Sequence, residues 1–133
     1  MARGEKRNLK KALWVVFSKY IRMRDKGVCI SCGKNGEIGE MDAGHYIPKT
    51  AGLSIYFDEK NVNCQCVACN RFRHGNLSAY ALALRRKYGD GILEELDERR
   101  RKIRKISPQE YLDLIANYKE KLSTGKFDSV LSK

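Results

Sequence analysis

The chain has 133 residues, with 27 Lys and Arg against 16 Asp and Glu, a net charge of +11 and a pI near 9.6. This length fits one domain with a modest core, and no apolar run reaches the roughly 20 residues that a membrane helix needs. The charge excess points to a polyanionic partner such as DNA, and Met1 leads into charged residues and no secretory leader, so a cytoplasmic protein that avoids membranes is expected.

Residues 8 to 26 predict a helix, because Leu9, Leu13, Val16, Phe17, Tyr20 and Ile21 recur at helical spacing and Gly27 can end it. Residues 28 to 40 predict a knuckle with turns at Gly33, Gly36 and Gly39. An extended segment follows over 40 to 48, closed by Pro48, and Leu53 to Phe57 reads as a second short strand. Asp58 to Asn61 is a turn, and Val62 to Cys66 is a strand entering a second knuckle. A helix is expected from about Cys69, with Leu77, Tyr80, Ala81, Leu84 and Tyr88 on one face. Gly89-Asp90-Gly91 breaks it, and Ile92 to about Lys105 resumes as a basic helix. Ser107-Pro108-Gln109-Glu110 spells a capping box with Pro at the first helical position. Tyr111, Leu114, Ile115, Tyr118 and Leu122 stripe that last helix, and residues 125 to 133 are expected to fray.

Cysteine spacing carries the strongest chemical signal. Cys29-x-x-Cys32 and Cys66-x-x-Cys69 are matched pairs, and an odd total of five cysteines argues against a closed disulfide framework. Four thiolates make a closed tetrahedral zinc site, which holds a fold and leaves no open position for chemistry. Structural zinc of this kind is worth roughly 10–16 kcal/mol in small peptides. Cys64 is the spare, read as a small buried hydrophobe, although it shares a strand face with Cys66 and competes with it as a ligand.

Between the pairs lies Met41-Asp42-Ala43-Gly44-His45, followed by Asn61. A neutral imidazole can take a proton from a water that attacks phosphorus, so His45 is the candidate general base. Asn61 is the candidate that aims it, through backbone or ring. Asn70 and His74 are four apart at an expected helix start and so share a face. With Asp42 they could hold a catalytic cation, Mg2+ or Mn2+ fitting best. Asp42 and His45 point oppositely in a flat strand, so a bulge at Gly44 is needed to join them; otherwise Glu40 shares the face of Asp42. Basic clusters surround this region. Arg3, Lys6, Arg7, Lys10 and Lys11 lie at the N-terminus, Arg71, Arg73, Arg85, Arg86 and Lys87 follow the second pair, and Arg99, Arg100, Arg101, Lys102, Arg104 and Lys105 come later. They are the candidate DNA-binding residues.

The run Phe17-Ser18-Lys19-Tyr20-Ile21-Arg22, both cysteine pairs, Met41 to His45, Tyr56-x-Asp58-x-x-Asn61-Val62 and Cys69-Asn70-Arg71 resembles the lambdoid phage NinG (Rap) recombination endonuclease family. The resemblance covers roughly residues 15 to 120. It implies an α+β fold: a zinc-stapled treble-clef, ββα-metal core of the HNH type, flanked by an N-terminal helix and C-terminal helices. It also implies metal-dependent cleavage of branched DNA, D-loops and Holliday junctions, in phage recombination. By position His45 is then the base, Asn61 the orienting residue, and Asn70 stands where many HNH enzymes carry a last histidine. Gly44 stands where many carry an acidic residue or histidine. A homodimer would suit a symmetric junction. A non-catalytic zinc-stapled DNA-binding module uses the same knuckles and basic clusters, and an HNH nuclease with another DNA preference differs only in substrate. Only the catalytic readings need His45, Asn61 and a second metal together.

Overall fold

The computed structural model describes residues 3–127, with nothing given for the side chain of Arg3. The long first helix, α1 (Arg3–Arg24), begins five residues earlier than its apolar stripe predicts. It ends through a Schellman-type closure. Gly27 N–H donates to Arg22 O at 3.1 Å and Lys26 N–H to Met23 O at 3.0 Å. Both Lys26 and Gly27 have positive φ. A Cβ on Gly27 would lie 2.3 Å from the Gly36 carbonyl, so glycine here lets the first knuckle fold back against the helix end.

Two short strands follow, β1 (Asp42–His45) and β2 (Val62–Gln65), paired antiparallel with Asp42 opposite Gln65 and His45 opposite Val62. The register is regular across all four pairs, so the bulge expected at Gly44 is absent. The strand expected over Leu53 to Phe57 is instead one helical turn, α2 (Leu53–Tyr56). Its carbonyls explain the difference. Ile55 O accepts from the Asn61 side chain and Tyr56 O bonds the His45 ring, so side chains take the groups that a sheet partner would use. A short apolar run does not by itself distinguish these outcomes. The turn over Asp58 to Asn61 forms as expected, closed by the Asp58 carboxylate accepting from Lys60 and Asn61 N–H.

The helix expected from Cys69 is also different. A single π-helical turn spans Ala68–Phe72, the chain then reverses, and α3 (Leu77–Tyr88) starts afresh. Three consecutive residues, His74, Gly75 and Asn76, have φ of 49°, 88° and 46°. This left-handed run breaks the helix. Asn70 and His74 therefore do not share a helical face. The fourth helix, α4 (Ile92–Arg100), stops short of Lys105 because Ile106, 2% exposed, must reach the core and Ser107 precedes a proline. The last helix, α5 (Pro108–Thr124), carries the predicted capping box. Of the tail expected to fray, residues 128–133 lie outside the described residues, and Phe127 packs near the Tyr20 ring at 5.7 Å.

Three apolar clusters hold these elements. Leu13, Phe17 and Tyr20 of α1 meet Tyr111, Ile115 and Tyr118 of α5, with Ala43, Phe57, Val62 and Ile106 between them. Ile47 and Ile55 pack with Tyr80, Leu84, Ile92 and Leu96 of α3 and α4. Cys29, Cys64, Cys66 and Cys69 form the third, with Met41. A buried polar network crosses beneath the strands. Arg24 forks onto Asp25 and reaches Glu59 O, Val62 O and Asn63 Oδ1. Lys87 closes it on Asp25 and Asn63. Lys87 is thus an internal ion-pair partner and no part of a basic surface. Burial, with the nearby Arg24 charge, pushes its ammonium down to about 8 against the opposing pull of Asp25.

Candidate active site and zinc centre

The sulfurs of Cys29, Cys32, Cys66 and Cys69 all lie within 4.8 Å of one another. Cys32 and Cys66 are 3.7 Å apart, against about 3.8 Å for the edge of a tetrahedron with Zn–S bonds of ~2.3 Å. That separation excludes a disulfide, and all five cysteines are free. The four cysteines can hold one zinc ion. Their positions come from local turns: Cys29 N–H donates to Lys34 O and Gly33 N–H to Cys29 O, which curls the first pair. The π-helical turn curls the second, with Cys69 N–H donating to Cys66 Sγ at 3.4 Å. Asn76 Nδ2 donates to Cys69 Sγ, so the chain's reversal also places a donor on this sulfur. Cys64 is not in this group. Its backbone N–H bonds Asp25, and burial first, then the nearby Asp25 charge, pushes its thiol up to about 12.

A cleft of about 720 Å³ opens beside this centre. Asp42, Ala43 and His45 of β1, Trp14, Ser18 and Arg22 of α1, the Pro48 to Thr50 turn, and Asn70 and Arg71 line it. The sheet order therefore brings His45, Asp42 and Asn70 to one cavity without a bulge. His74 is not among the lining residues. It stands exposed on the left-handed turn. Among the described residues the four cysteines are the only group of three or more His, Cys, Asp or Glu placed to hold a metal.

His45 Nε2 lies 2.9 Å from Tyr56 O. A carbonyl only accepts, so this bond places the proton of neutral imidazole on Nε2 and leaves Nδ1 as the basic nitrogen. No hydrogen bond to Nδ1 is present among the described residues. Trp14 stacks on the ring, with centroids 5.1 Å apart and planes 18° apart, and Tyr56 meets it edge-on. Burial first, then the nearby Lys49 charge, holds the imidazole below its ordinary value, against the Tyr56 bond that favours the protonated form. Trp14 is a candidate site residue that the sequence alone does not point to. It is the sole tryptophan, one position from the apolar stripe at Leu13, and periodicity alone gives no sign that it faces a histidine.

Asn61 does not touch the His45 ring. Fully buried, it accepts from Ile47 N–H at 2.8 Å and donates to Ile47 O and Ile55 O. It ties the segment after His45 to the turn whose Tyr56 carbonyl fixes the imidazole. Each bond is worth about 0.5–1.5 kcal/mol net, and a buried amide left unpaired costs more. Asn61 thus positions the histidine through two backbones.

Asp42 is engaged as well. Its carboxylate accepts from Asn70 Nδ2 at 2.9 Å and from Arg71 through a two-pronged contact at 3.0 and 2.9 Å. Asn70 thus turns its amide NH2, and not its oxygen, toward that carboxylate. Gly44 of β1 packs against the side chains of Gln65 and Asn70. A Cβ there would fall 1.8 Å from Gln65 Oε1 and 3.0 Å from Asn70 Oδ1. The two amides fill the space that a side chain at this position would need. Gly44→Ala should therefore cost about 1–3 kcal/mol, the usual penalty of overpacking. Urea unfolding would measure it, and an unchanged midpoint would contradict this packing.

The basic run that ends α4 and follows it is half neutralised. Arg99 bridges Asp58 and Glu95, Arg101 pairs with Asp97, and Arg104 with Glu110. Arg100, Lys102 and Lys105 are exposed and make no ion pair among the described residues. Arg71 is exposed at the cleft, and Arg73 is exposed with its Nη1 4.0 Å from Cys69 Sγ. No described helix is long and apolar enough to cross a membrane.

The model of the family described as Bacteriophage Lambda NinG protein matches residues 2–126. The chain belongs to the NinG family. It is 36% identical over 104 residues to Protein ninG of Escherichia phage 933W, covering 77% of this chain and 51% of that one. Protein ninG of Salmonella phage P22 is 36% identical and that of Escherichia phage lambda 35%, each over 77% of this chain and 50% of its own length. The chain thus spans about half the length of these NinG relatives. No solved structure matches it.

Proposed function

We propose that this NinG-family chain is a metal-dependent DNA endonuclease of the HNH type that hydrolyses phosphodiesters in branched DNA. The observation that carries the reading is the His45 imidazole. Its Nε2 proton is fixed on Tyr56 O, and its ring lines the same cleft as Asp42 and Asn70. In this reading Nδ1 accepts the proton of the attacking water. Trp14 and the Asn61 clamp hold the ring in one orientation, and a positioned base is worth more than a mobile one. The treble-clef assignment rests on the order of knuckle, two strands, knuckle and helix, together with the family resemblance. Asp42 and Asn70 would hold a Mg2+ or Mn2+ ion, which when bound stabilises charge on the phosphorane and the departing 3′ oxygen. Arg71 must leave Asp42 for that. Branch preference and a recombination role rest on the resemblance alone.

The occupied carboxylate favours a second reading. If Arg71 stays on Asp42, the cleft holds no free acid, and the chain is a zinc-stapled DNA-binding module. Incubation with duplex, single-strand, fork and four-way DNA under Mg2+ or Mn2+ separates the two: the module binds and never cuts.

Both readings require phosphate contacts. Affinity should fall steeply with salt, and each phosphate contact removed should flatten the log–log slope by about 0.9 on duplex DNA. Changing Arg100, Lys102 and Lys105 together to Gln should weaken binding and flatten the slope. Arg99→Gln should act mainly on stability, since its guanidinium serves Asp58 and Glu95. Fluorescence anisotropy across a salt series measures this, and a salt-independent affinity would contradict it.

A further inference from the structure

Phe72 ends the π-helical turn with its side chain 77% exposed. An exposed apolar residue alone means little. Three further observations set this one apart. The backbone that carries it is fixed in a costly shape. His74 and Asn76 are non-glycine residues with positive φ, which L side chains rarely adopt, and the turn is pinned from several sides. Gln65 Nε2 donates to Gly75 O at 2.8 Å, Gly75 N–H to Cys69 O at 2.8 Å, and Asn76 Nδ2 to Cys69 Sγ. The flanking residues are Arg71 and Arg73, both exposed. Asn70 and Arg71, immediately before Phe72, line the His45 cleft. An exposed aromatic flanked in sequence by Arg71, whose guanidinium is held by Asp42, and by Arg73, whose Nη1 lies 4.0 Å from Cys69 Sγ, on a chain of net charge +11, complements a polyanion that also offers flat apolar faces.

We propose that Phe72 stacks on an unpaired DNA base while Arg71 and Arg73 hold the neighbouring phosphates. An unpaired or branch-point base meets this platform without first leaving a duplex stack, whereas a paired base must first be unstacked and unpaired. Phe72 is therefore a specificity-determining residue that selects DNA with free bases beside the bond presented to His45. This deepens the endonuclease reading and rests on it only for what His45 does next.

The test is binding without cleavage. Zinc-loaded wild type, Phe72→Ala and Phe72→Tyr are titrated, with no magnesium or manganese added, into a fork carrying 2-aminopurine at an unpaired position and into a matched duplex. Phe72→Ala should weaken fork binding about tenfold and abolish the 2-aminopurine response, while duplex affinity changes less than about twofold. Phe72→Tyr should keep both. Fork binding unchanged in Phe72→Ala would overturn the proposal and leave Phe72 to a protein contact. Equal losses on fork and duplex, or no fork preference in the wild type, would overturn it too. A protein that shows the Phe72-dependent preference yet cuts nothing under Mg2+ or Mn2+ sinks the nuclease reading alone. One that cuts with a fork preference indifferent to Phe72 sinks this proposal alone.

Discussion

His45→Ala should keep its zinc, its fold and its DNA affinity while cleavage falls by roughly 10²–10⁴-fold, the usual worth of a positioned general base. The fold should survive because the ring is only partly buried and its one hydrogen bond goes to a single carbonyl, Tyr56 O. The pH dependence follows from the same geometry. Burial holds the His45 value below 6.5, so the base is free at neutral pH. Cleavage should be full there and decline only on acidification, through a midpoint below 6.5. Stability should move the same way. Between the lowered folded value and the unfolded value near 6.5, the unfolded chain binds more proton, so acidification through that window costs stability, and below it the loss is complete. His45→Ala should lose this dependence. Single-turnover rates and urea midpoints across pH 5 to 8 would check both, and a rate that rises on acidification would contradict the assignment.

Cys66→Ser should cost several kcal/mol and release zinc, since structural sites of this kind bind with roughly 10–16 kcal/mol in apparent terms. Its sulfur faces Cys32 at 3.7 Å and accepts from Cys69 N–H, so its loss opens both knuckles. The His45 cleft should fail with it, because Asn70 and Arg71 sit on the turn that Cys66 and Cys69 bend. Cys64→Ser should keep a full zinc equivalent, as its sulfur lies outside the four-cysteine group. Elemental analysis with thermal unfolding reads both variants. Zinc lost from Cys64→Ser and kept by Cys66→Ser would mean that the wrong sulfur was assigned.

What the sequence made legible was local. Cys-x-x-Cys pairs report their own geometry, because two residues between ligands set the turn that a metal needs. Ser107, Pro108 and Glu110 spell a helix start in four letters. His45 and Asn61 stood out as polar residues bracketed by knuckles. The remainder depends on contacts distant in the chain. Leu53 to Tyr56 became a helical turn because Asn61 and His45 take its carbonyls. His74 left the expected helix because Gly75 is held by Gln65 and Cys69, ten and six residues away. Lys87 reads as surface charge until Asp25, 62 residues earlier, is placed beside it. Trp14 stacking on His45 joins α1 to β1, and no spacing rule reaches across 31 positions.

Cleavage itself tests the central claim most directly. Zinc-loaded wild-type protein and His45→Ala should be mixed in excess with a labelled four-way junction, under Mg2+ and separately Mn2+, at equal DNA occupancy. The wild type should cut, leaving 5′-phosphate and 3′-hydroxyl ends, and His45→Ala should cut at least about a hundredfold more slowly. A wild-type protein that binds the junction with full zinc and leaves every strand intact under both ions, or a His45→Ala protein that cuts at the wild-type rate, would contradict the account.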